Sequence, residues 1–375
     1  MVRRNFALKD VVTPTGSSEG MALWHRVSRF IAEEDGSAEE RFDALALDIF
    51  QYQFGHNPVY RRWCGHLGWT EERVSATADW MDIPTMPVES FKWETVRTGN
   101  LGESMDPLTF RTSGTTGSRQ GVHHVHTPGL YRLSACHGFQ SIFGPPSDDG
   151  AVVFGLLPGY LDRPDSSLVH MVGLLRNAGW CEQNGAPEGG FFLDNVEGLF
   201  TAMEEAVAAG RTVVLIGVTW ALVDAGRAWS ASGRKGVGDA VHIIVTGGMK
   251  GRREEWVSER VRATLSEGFG TERIGGEYGM TELLSQAWSL EGGLYGTPHW
   301  MRVRIRRTDD PLTGAAIGGT GGVDILDLAN LGSCAFLSTR DLGRFVEGDE
   351  IPSGSFEILG RFDDAEVRGC NLLIA

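Results

Sequence analysis

The sequence is poor in several features that mark particular classes of protein. Its five cysteines are odd in number, scattered and without a Cys-x-x-Cys pair, so they predict neither a disulfide framework nor a zinc site. No hydrophobic run approaches the length that spans a membrane, and residues 1–12 lack the apolar stretch of a signal peptide. We therefore expect a cytoplasmic protein with no membrane partner.

Positive charge is scarce as well. Aspartate and glutamate number 49 against 34 lysines and arginines, which gives a formal net charge of -15. This balance argues against a nucleic-acid partner and against attraction to an anionic membrane. With 375 residues, 41% hydrophobic and 22% charged, the chain has an ordinary globular composition and can bury one large core or two moderate ones.

The pattern of residues changes in an ordered way along the chain. Residues 1–105 read as a helical, tryptophan-rich region. Residues 106–295 alternate short apolar runs with amphipathic stretches, which predicts a mostly parallel sheet covered by helices. Residues 296–360 predict a smaller antiparallel β-rich subdomain, and residues 361–375 form a hinge remnant and a tail. The expected fold class is α/β.

Caps and turn residues predict individual elements. Thr70 fits the start of a helix, and the segment around Pro84 and Pro87 must be extended, since each proline moves its predecessor out of the helical region. Residues 301–307 alternate apolar and basic side chains, which predicts a strand with one solvent-facing side. Buried strands are predicted at residues 151–157, 212–216 and 241–245.

A glycine- and hydroxyl-rich loop between Arg111 and Gly121 is the most unusual stretch. Glycine lets successive backbone N–H groups turn toward one point, and such a cluster of donors suits a phosphate chain. No Gly-Lys-Ser/Thr sequence closes the loop, so it is not a Walker loop. Because the same composition also suits a linker, the loop alone leaves both interpretations open.

Three further stretches add possible nucleotide contacts. In residues 275–282, Tyr278 lies beside glycines that could receive a purine, and Glu282 could hold Mg²⁺ bound to a phosphate. The alternative is an ordinary loop before a helix that begins near Thr281. Asp341 could accept both hydroxyls of a ribose, although an aspartate in a turn is often structural. Residues 360–369 open the final segment.

In this order, the four stretches resemble the adenylate-forming superfamily of acyl- and aryl-CoA synthetases, luciferases and nonribosomal adenylation domains. The matching motifs are Thr-Ser-Gly-Thr-Thr-Gly at 112–117, Tyr-Gly-x-Thr-Glu at 278–282, Thr-x-Asp at 339–341 and Gly-Arg-x-Asp at 360–363. The resemblance covers about residues 106–370. It implies the large-domain fold of that superfamily and a reaction in which ATP and Mg²⁺ convert a small-molecule carboxylic acid into an acyl-AMP.

The resemblance also implies roles for the residues that match. The nucleotide-binding set is Thr112, Ser113, Gly114, Thr115, Thr116, Gly117, Gly276, Glu277, Tyr278, Gly279, Asp341 and Arg361. Residues 112–117 would wrap the β- and γ-phosphates, and Asp341 would hold the ribose. Thr281 would contact the α-phosphate as a catalytic residue, and Glu282 would hold the magnesium ion.

Two further assignments concern the acid and the positive charge. The pocket for the acid is expected at Tyr160, Gly247 and Gly248. Most of the superfamily uses a lysine that follows the hinge, whereas no lysine follows the hinge in this sequence. Lys250 is a candidate catalytic residue to supply that charge, and a solvated surface lysine is the alternative interpretation.

The end of the sequence resembles one branch, the acyl-protein synthetases of bacterial luminescence fatty-acid reductase complexes (the LuxE type). These proteins transfer the activated acyl group to a cysteine near their own C-terminus. Cys370 matches that position, and Arg368 nearby would lower the pKa of its thiol. The branch implies a fatty acid as substrate and an acyl reductase or carrier protein as partner. A small buried residue that closes a strand is the alternative role for Cys370.

Other functions stay open from the sequence alone. The acyl-AMP could be captured by a free amine, a carrier protein or coenzyme A, which would make the protein an amide or thioester ligase. A catalytically inactive nucleotide-binding subunit is a further alternative. His123, His124 and His126 could hold a metal, but core or surface histidines are favoured because no acidic or cysteine partner is close in sequence.

Overall fold

The computed structural model describes most of the chain. The described residues are 15–33, 38–99, 101, 107–112, 119–158, 163–181, 190–247, 258–316, 318–346 and 355–362. One hydrophobic cluster runs through them from the N-terminal helices to the last strand, with Trp24, Trp180 and Trp300 among its largest fully buried side chains. The domain bounds at 105, 295 and 360 stay predictions.

Helices make up the N-terminal region, as the sequence predicts. They are α1 (Ser18–Ala32), α2 (Ala38–His56), α3 (Pro58–His66), α4 (Glu71–Ala76) and α5 (Ser90–Trp93). The predicted start at Thr70 is confirmed, because its hydroxyl accepts a hydrogen bond from the Arg73 amide and so caps α4. Asn57 caps α3 in a similar way, with Pro58 at the first helical position.

Two short strands precede the glycine-rich loop in the chain, and a third follows it. The proline-rich segment is extended as predicted and contains β1 (Met86–Pro87). Strands β2 (Leu108–Arg111) and β3 (Val122–Val125) pair antiparallel, with Arg111 opposite Val122. The glycine-rich loop joins these two strands in the chain, and α5 packs against β3.

A five-stranded sheet forms the centre of the α/β region. Its strands are β4 (Val152–Leu156), β5 (Val213–Val218), β6 (Val241–Thr246), β7 (Ile274–Tyr278) and β8 (Ala287–Ser289), in that order across the sheet. The first four run parallel and β8 is antiparallel to β7. The buried strands predicted from apolar runs are confirmed. Parallel strands place their carboxyl ends at one edge, where ligands bind in sheets of this kind.

Helices precede and connect these strands. Helix α6 (Pro128–Phe143) precedes β4, and the parallel strands are connected by α7 (Ser167–Ala178), α8 (Val196–Ala208), α9 (Thr219–Ala231) and α10 (Ser258–Phe269). Ser166 caps α7 through the Val169 amide, and Gly179 at the other end has a φ of 121° that favours glycine. The alternation of strand and helix is thus the one that the sequence predicts.

The region after residue 290 is a mostly antiparallel sheet. Its strands are β9 (Leu294–Tyr295), β10 (Met301–Arg306), β11 (Gly321–Asp327), β12 (Phe336–Phe345) and β13 (Phe356–Arg361), ordered β10-β11-β12-β13-β9. Strand β1 pairs parallel with β12, with Met86 beside Leu337. The N-terminal region therefore contributes a strand to this sheet.

The expectation of a solvent-facing side on β10 is wrong. Arg304 and Arg306 both pair with the buried Asp324 of β11, at 3.1 and 2.6 Å, and Arg302 is buried with its guanidinium over the Phe42 ring of α2. A buried carboxylate and an aromatic face stabilise cations that sequence alternation assigns to solvent. Packing by the N-terminal helices thus covers the basic side of this strand.

Candidate functional site

Three of the four motifs meet around one carboxylate, that of Asp341 on β12. The Tyr278 hydroxyl donates to Asp341 Oδ2 at 2.8 Å, and Arg361 Nε lies 3.0 Å from Asp341 Oδ1. Strand register explains the second contact, because Asp341 of β12 faces Arg361 of β13. Side chains that are far apart in sequence are therefore held as one group at the junction of the two sheets.

The remaining motif is the glycine-rich loop, whose base lies next to Glu282 of the Tyr-Gly-x-Thr-Glu motif. The base of the glycine-rich loop is closed by two bonds, from the Gly121 amide to Thr112 Oγ1 at 2.8 Å and from the Thr112 amide to the Gly121 carbonyl at 3.0 Å. A Cβ on Gly121 would lie 3.0 Å from Glu282 Oε1 and 3.1 Å from Thr112 Cγ2. Glu282 therefore approaches the backbone at the base of the loop so closely that a larger residue at 121 would have to displace it or Thr112 slightly.

Glu282 has the properties of a cation ligand. Burial raises the pKa of its carboxyl to about 7, while the positive charges of Arg361 and Lys92 lower it and Glu89 raises it. Among the described residues, its carboxyl hydrogen-bonds only its own backbone amide. A buried carboxyl group beside the base of a glycine- and hydroxyl-rich loop suits Mg²⁺, which usually takes one or two carboxylates and completes its shell with phosphates and water.

Two buried side chains hold the backbone of Thr281 and Glu282. His123 on β3 donates from Nδ1 to the Thr281 carbonyl at 2.8 Å, and Asn330 donates from Nδ2 to the Glu282 carbonyl at 2.7 Å. Burial lowers the pKa of His123 to about 4, so the ring is neutral near pH 7, and its proton lies on Nδ1 because a carbonyl only accepts. The interpretation of His123 as a core residue is confirmed, with a positioning role that sequence reasoning missed.

Asp327 orders the segment that follows Glu282. Its Oδ2 accepts bonds from the amides of Leu284 and Ser285, at 2.8 and 3.0 Å, and its Oδ1 accepts bonds from the Ser285 hydroxyl and the Ala329 amide. The carboxylate is fully buried. The segment is therefore an ordered loop that leads into β8, and the alternative of a helix starting near Thr281 is wrong.

Glu277 lies on the opposite face of β7 from Tyr278 and is bound to the neighbouring strand. Its Oε2 accepts a bond from the Thr246 hydroxyl at 2.7 Å, and burial raises the pKa of its carboxyl to about 7. A Cβ on Gly279 would lie 2.3 Å from Glu277 Oε1. Gly247, which follows Thr246, accepts a bond from the Thr219 hydroxyl at 2.5 Å. Glu277 thus lies beside Thr246, the residue before Gly247, which is one of the glycines predicted to line the acid pocket.

Replacing Glu277 by glutamine is expected to raise the free energy of unfolding by about 3 kcal/mol at pH 8 and to leave it unchanged at pH 4. The folded-state pKa of about 7 exceeds the usual 4.5, so the carboxylate costs stability as pH rises from about 4.5 to about 7 and throughout higher pH. Urea unfolding at both pH values measures the difference. The matched control is Glu272→Gln, because the exposed Glu272 also accepts a hydroxyl bond, from Ser266. An equal gain in both variants would contradict the prediction.

Several predicted residues lie outside the part of the chain that the structure describes. They are Ser113, Gly114, Thr115, Thr116, Gly117, Tyr160, Gly248, Lys250 and Cys370. Within the described part, no group of three or more histidines, cysteines or carboxylates is arranged to hold a metal, which includes the histidines of β3. In the same part, no helix combines the length and apolar character needed to cross a bilayer.

Comparison with known proteins finds likeness in structure. No model of a protein family matches this sequence, and no curated protein matches it. Crystal structures of 2-hydroxyisobutyryl-CoA ligase do resemble it. The thioesterification state, with 2-HIB-AMP and CoA, is 15% identical with a TM-score of 0.58, and the match covers 87% of this chain and 69% of that one. The open conformation is 14% identical with a TM-score of 0.56, covering 87% and 71%.

A third structure of that ligase, in the postadenylation state with 2-HIB-AMP, is 13% identical with a TM-score of 0.57 and covers 87% of this chain and 69% of that one. At these identities the likeness is one of fold. It confirms the predicted α/β fold class.

Proposed function

We propose that this protein uses ATP to activate a carboxylic acid as an acyl adenylate. The supporting observation is the convergence of the four motifs: Tyr278, Asp341 and Arg361 form one hydrogen-bonded group, and Glu282 lies beside the base of the glycine-rich loop. Ordinary linkers or isolated turns have no reason to meet in this way. The likeness of fold to a ligase crystallised with 2-HIB-AMP supports the same reaction class.

In the proposed reaction, a carboxylate oxygen of the acid attacks the α-phosphorus of ATP. The bond from that phosphorus to the bridging oxygen breaks, and pyrophosphate leaves. Asp341 would accept bonds from the ribose hydroxyls, and the Tyr278 ring would lie against adenine. Thr281 would donate to the α-phosphate, and Glu282 would bind Mg²⁺, which neutralises phosphate charge when present. Most of the rate gain would come from positioning and from stabilising charge.

In the proposed site, the carboxyl group of Asp341 that would bind the ribose is held in place by two neighbours. Arg361 and the Tyr278 hydroxyl both bond to the Asp341 carboxyl, which fixes its orientation before a ribose arrives. Preorganised acceptors cost little reorganisation on binding.

For the acyl acceptor, we propose the thiol of Cys370, followed by delivery to an acyl reductase or carrier protein. The thiolate would attack the acyl carbon, AMP would leave, and the thiol proton would pass to solvent. Three described cysteines are poor alternatives: Cys64, Cys136 and Cys334 are buried, and burial raises the pKa of each thiol, to about 12 for Cys64 and Cys136. A fatty acid is the proposed substrate, by resemblance to the acyl-protein synthetases.

Transfer of the acyl group to coenzyme A is the second candidate. It is favoured by the likeness of fold to a CoA ligase that was crystallised with CoA in the thioesterification state. The first step of the reaction would be unchanged, and Cys370 would then take no part. The two candidates differ only in the thiol that receives the acyl group.

The test is ATP–pyrophosphate exchange with a panel of carboxylic acids, followed by intact-mass measurement of the protein after incubation with ATP and Mg²⁺. We expect exchange with at least one acid and an acyl adduct on the wild type, labile to hydroxylamine and absent from Cys370→Ala. The matched control is Cys181→Ala, since Cys181 is the described cysteine that is partly exposed, and it should keep the adduct.

Other outcomes separate the candidates. Exchange without an adduct, together with acyl-CoA formation when CoA is added, would favour the CoA ligase. An adduct that survives in Cys370→Ala but not in Cys181→Ala would move the acceptor to Cys181. Absence of exchange with every acid, in a protein that binds ATP, would reject adenylation and leave the inactive nucleotide-binding subunit.

A further inference from the structure

We propose that Lys92, on the short helix α5 of the N-terminal region, is the lysine that contacts the triphosphate of ATP. The inference rests on the proposed adenylation and extends it by assigning the catalytic cation. It also gives residues 1–105 a direct part in the reaction. Sequence reasoning had placed the cation at Lys250 instead.

The contacts of Phe91 and Trp93, the two residues on either side of Lys92, show where α5 lies. The Phe91 ring packs edge-on against the His123 ring, with centroids 5.2 Å apart, and His123 bonds to the Thr281 carbonyl. The guanidinium carbon of Arg119 lies over the Trp93 ring, 5.0 Å from the ring centroid. Arg119 belongs to the C-terminal part of the glycine-rich loop, two residues before Gly121. Lys92 therefore lies between contacts to both the phosphate loop and the Thr281–Glu282 segment.

The cations of this region differ in whether they have a carboxylate partner. Arg361 pairs with Asp341, and Arg340 lies 3.5 Å from the Glu89 carboxyl, so both arginines already have a carboxylate partner. No ion pair between described residues involves Lys92, which is partly buried between Phe91 and Trp93 on α5. Within the described part of the chain, its charge is therefore uncommitted. An incoming polyphosphate is the ligand that such a charge fits.

Chemistry and net charge support the same role. A lysine ammonium is a compact point charge that binds phosphate well and can follow it as the leaving group departs. The chain carries a formal net charge of -15, so a polyanion is repelled unless local cations compensate. Lys92 would stabilise the β- and γ-phosphates of ATP and then the departing pyrophosphate. AMP lacks those groups and would not depend on it.

The experiment compares three lysines in the full chain. In Lys92→Gln we expect the kcat/KM of ATP–pyrophosphate exchange to fall by about 100-fold, and the affinity for ATP, measured by calorimetry, to fall by about tenfold. The affinity for AMP should stay within twofold of the wild type. Lys92→Arg, which keeps the charge, should retain most of the ATP affinity. Lys235→Gln, an exposed lysine after α9, is the charge-matched control and should change nothing.

The possible results are distinct. A wild-type level of exchange and ATP binding in Lys92→Gln would overturn the proposal, and so would an equal loss of ATP and AMP affinity, which marks a structural defect. If Lys250→Gln shows the selective loss of ATP affinity and Lys92→Gln does not, Lys250 is the cation. Failure of the proposed function would look different, because the wild type would then show no ATP–pyrophosphate exchange. The affinities of the wild type and the variants for ATP and AMP could still be compared in that case and would test Lys92 separately. A wild type that binds no ATP would reject both proposals.

Discussion

Replacing Glu282 by glutamine is expected to lower ATP–pyrophosphate exchange by roughly 100- to 1000-fold at pH 8. Glutamine keeps the shape of the side chain but loses the charge that would bind Mg²⁺ beside the glycine-rich loop. The same change should make the fold more stable at pH 8, by about 3 kcal/mol. Burial raises the pKa of Glu282 to about 7, above the usual 4.5, so this residue costs the folded state stability as pH rises from about 4.5 to about 7, and the full cost remains at higher pH.

Opposite changes in activity and stability separate a chemical role from a folding defect. Exchange is measured with saturating ATP over a range of Mg²⁺ concentrations, and stability by urea unfolding of the same samples. Glu272→Gln is the control, since Glu272 is an exposed carboxylate that accepts a bond from Ser266, and both quantities should stay at the wild-type level. Full exchange activity in Glu282→Gln would remove Glu282 from the proposed site. A loss of both activity and stability would instead indicate that its carboxylate is structural.

Replacing Asp327 by asparagine is expected to lower the free energy of unfolding by about 3 kcal/mol. Each carboxylate oxygen accepts two bonds, from the Leu284 and Ser285 amides on one side and from the Ser285 hydroxyl and the Ala329 amide on the other. An asparagine presents an NH₂ group to one of these pairs of donors, whichever way its amide is turned. Because the site is fully buried, no water replaces the lost bonds.

Asp327→Asn should also lower exchange per folded molecule by about tenfold, since the loop that carries Glu282 loses its anchor. The control is Arg211→Gln, which removes bonds from a buried arginine to the carbonyls of Gly150, Ala151 and Cys181. Arg211 lies just before β5, at the amino ends of the parallel strands and so on the side of the sheet away from their carboxyl ends. This variant should therefore be destabilised without a change in exchange per folded molecule. Equal loss of exchange in both variants would show that Asp327 acts only through global stability.

The sequence predicted the parts of the site that depend on local chemistry. Tyr278, Asp341 and Arg361 were assigned to the nucleotide from their motifs, and the structure brings all three together around one carboxylate. Glu282 was assigned to the magnesium ion, which stays a prediction, and the structure places it close to Gly121. These motifs are readable because glycine, carboxylate and hydroxyl residues at fixed spacing constrain both backbone and ligand chemistry.

The residues that sequence reasoning missed act through contacts between distant segments. His123 and Asn330 hold two adjacent carbonyls in the Thr281–Glu282 segment from separate strands and loops, and Asp327 orders the residues that follow. A buried histidine, asparagine or aspartate has no distinctive spacing along the chain. Only the atom that each one bonds to distinguishes a positioning role from ordinary core packing.

Periodicity and composition determined the alternation of strands and helices, the antiparallel region after residue 290, and the motifs that carry the proposed chemistry. They did so because each depends on neighbours within a few residues. Only the tertiary structure decided that the arginines of β10 are covered, that Tyr278 bonds to Asp341, and that Phe91 of α5 packs against His123 of β3. Those outcomes depend on which elements pack together. The residues in contact lie up to hundreds of positions apart in the sequence, so no local pattern reveals them.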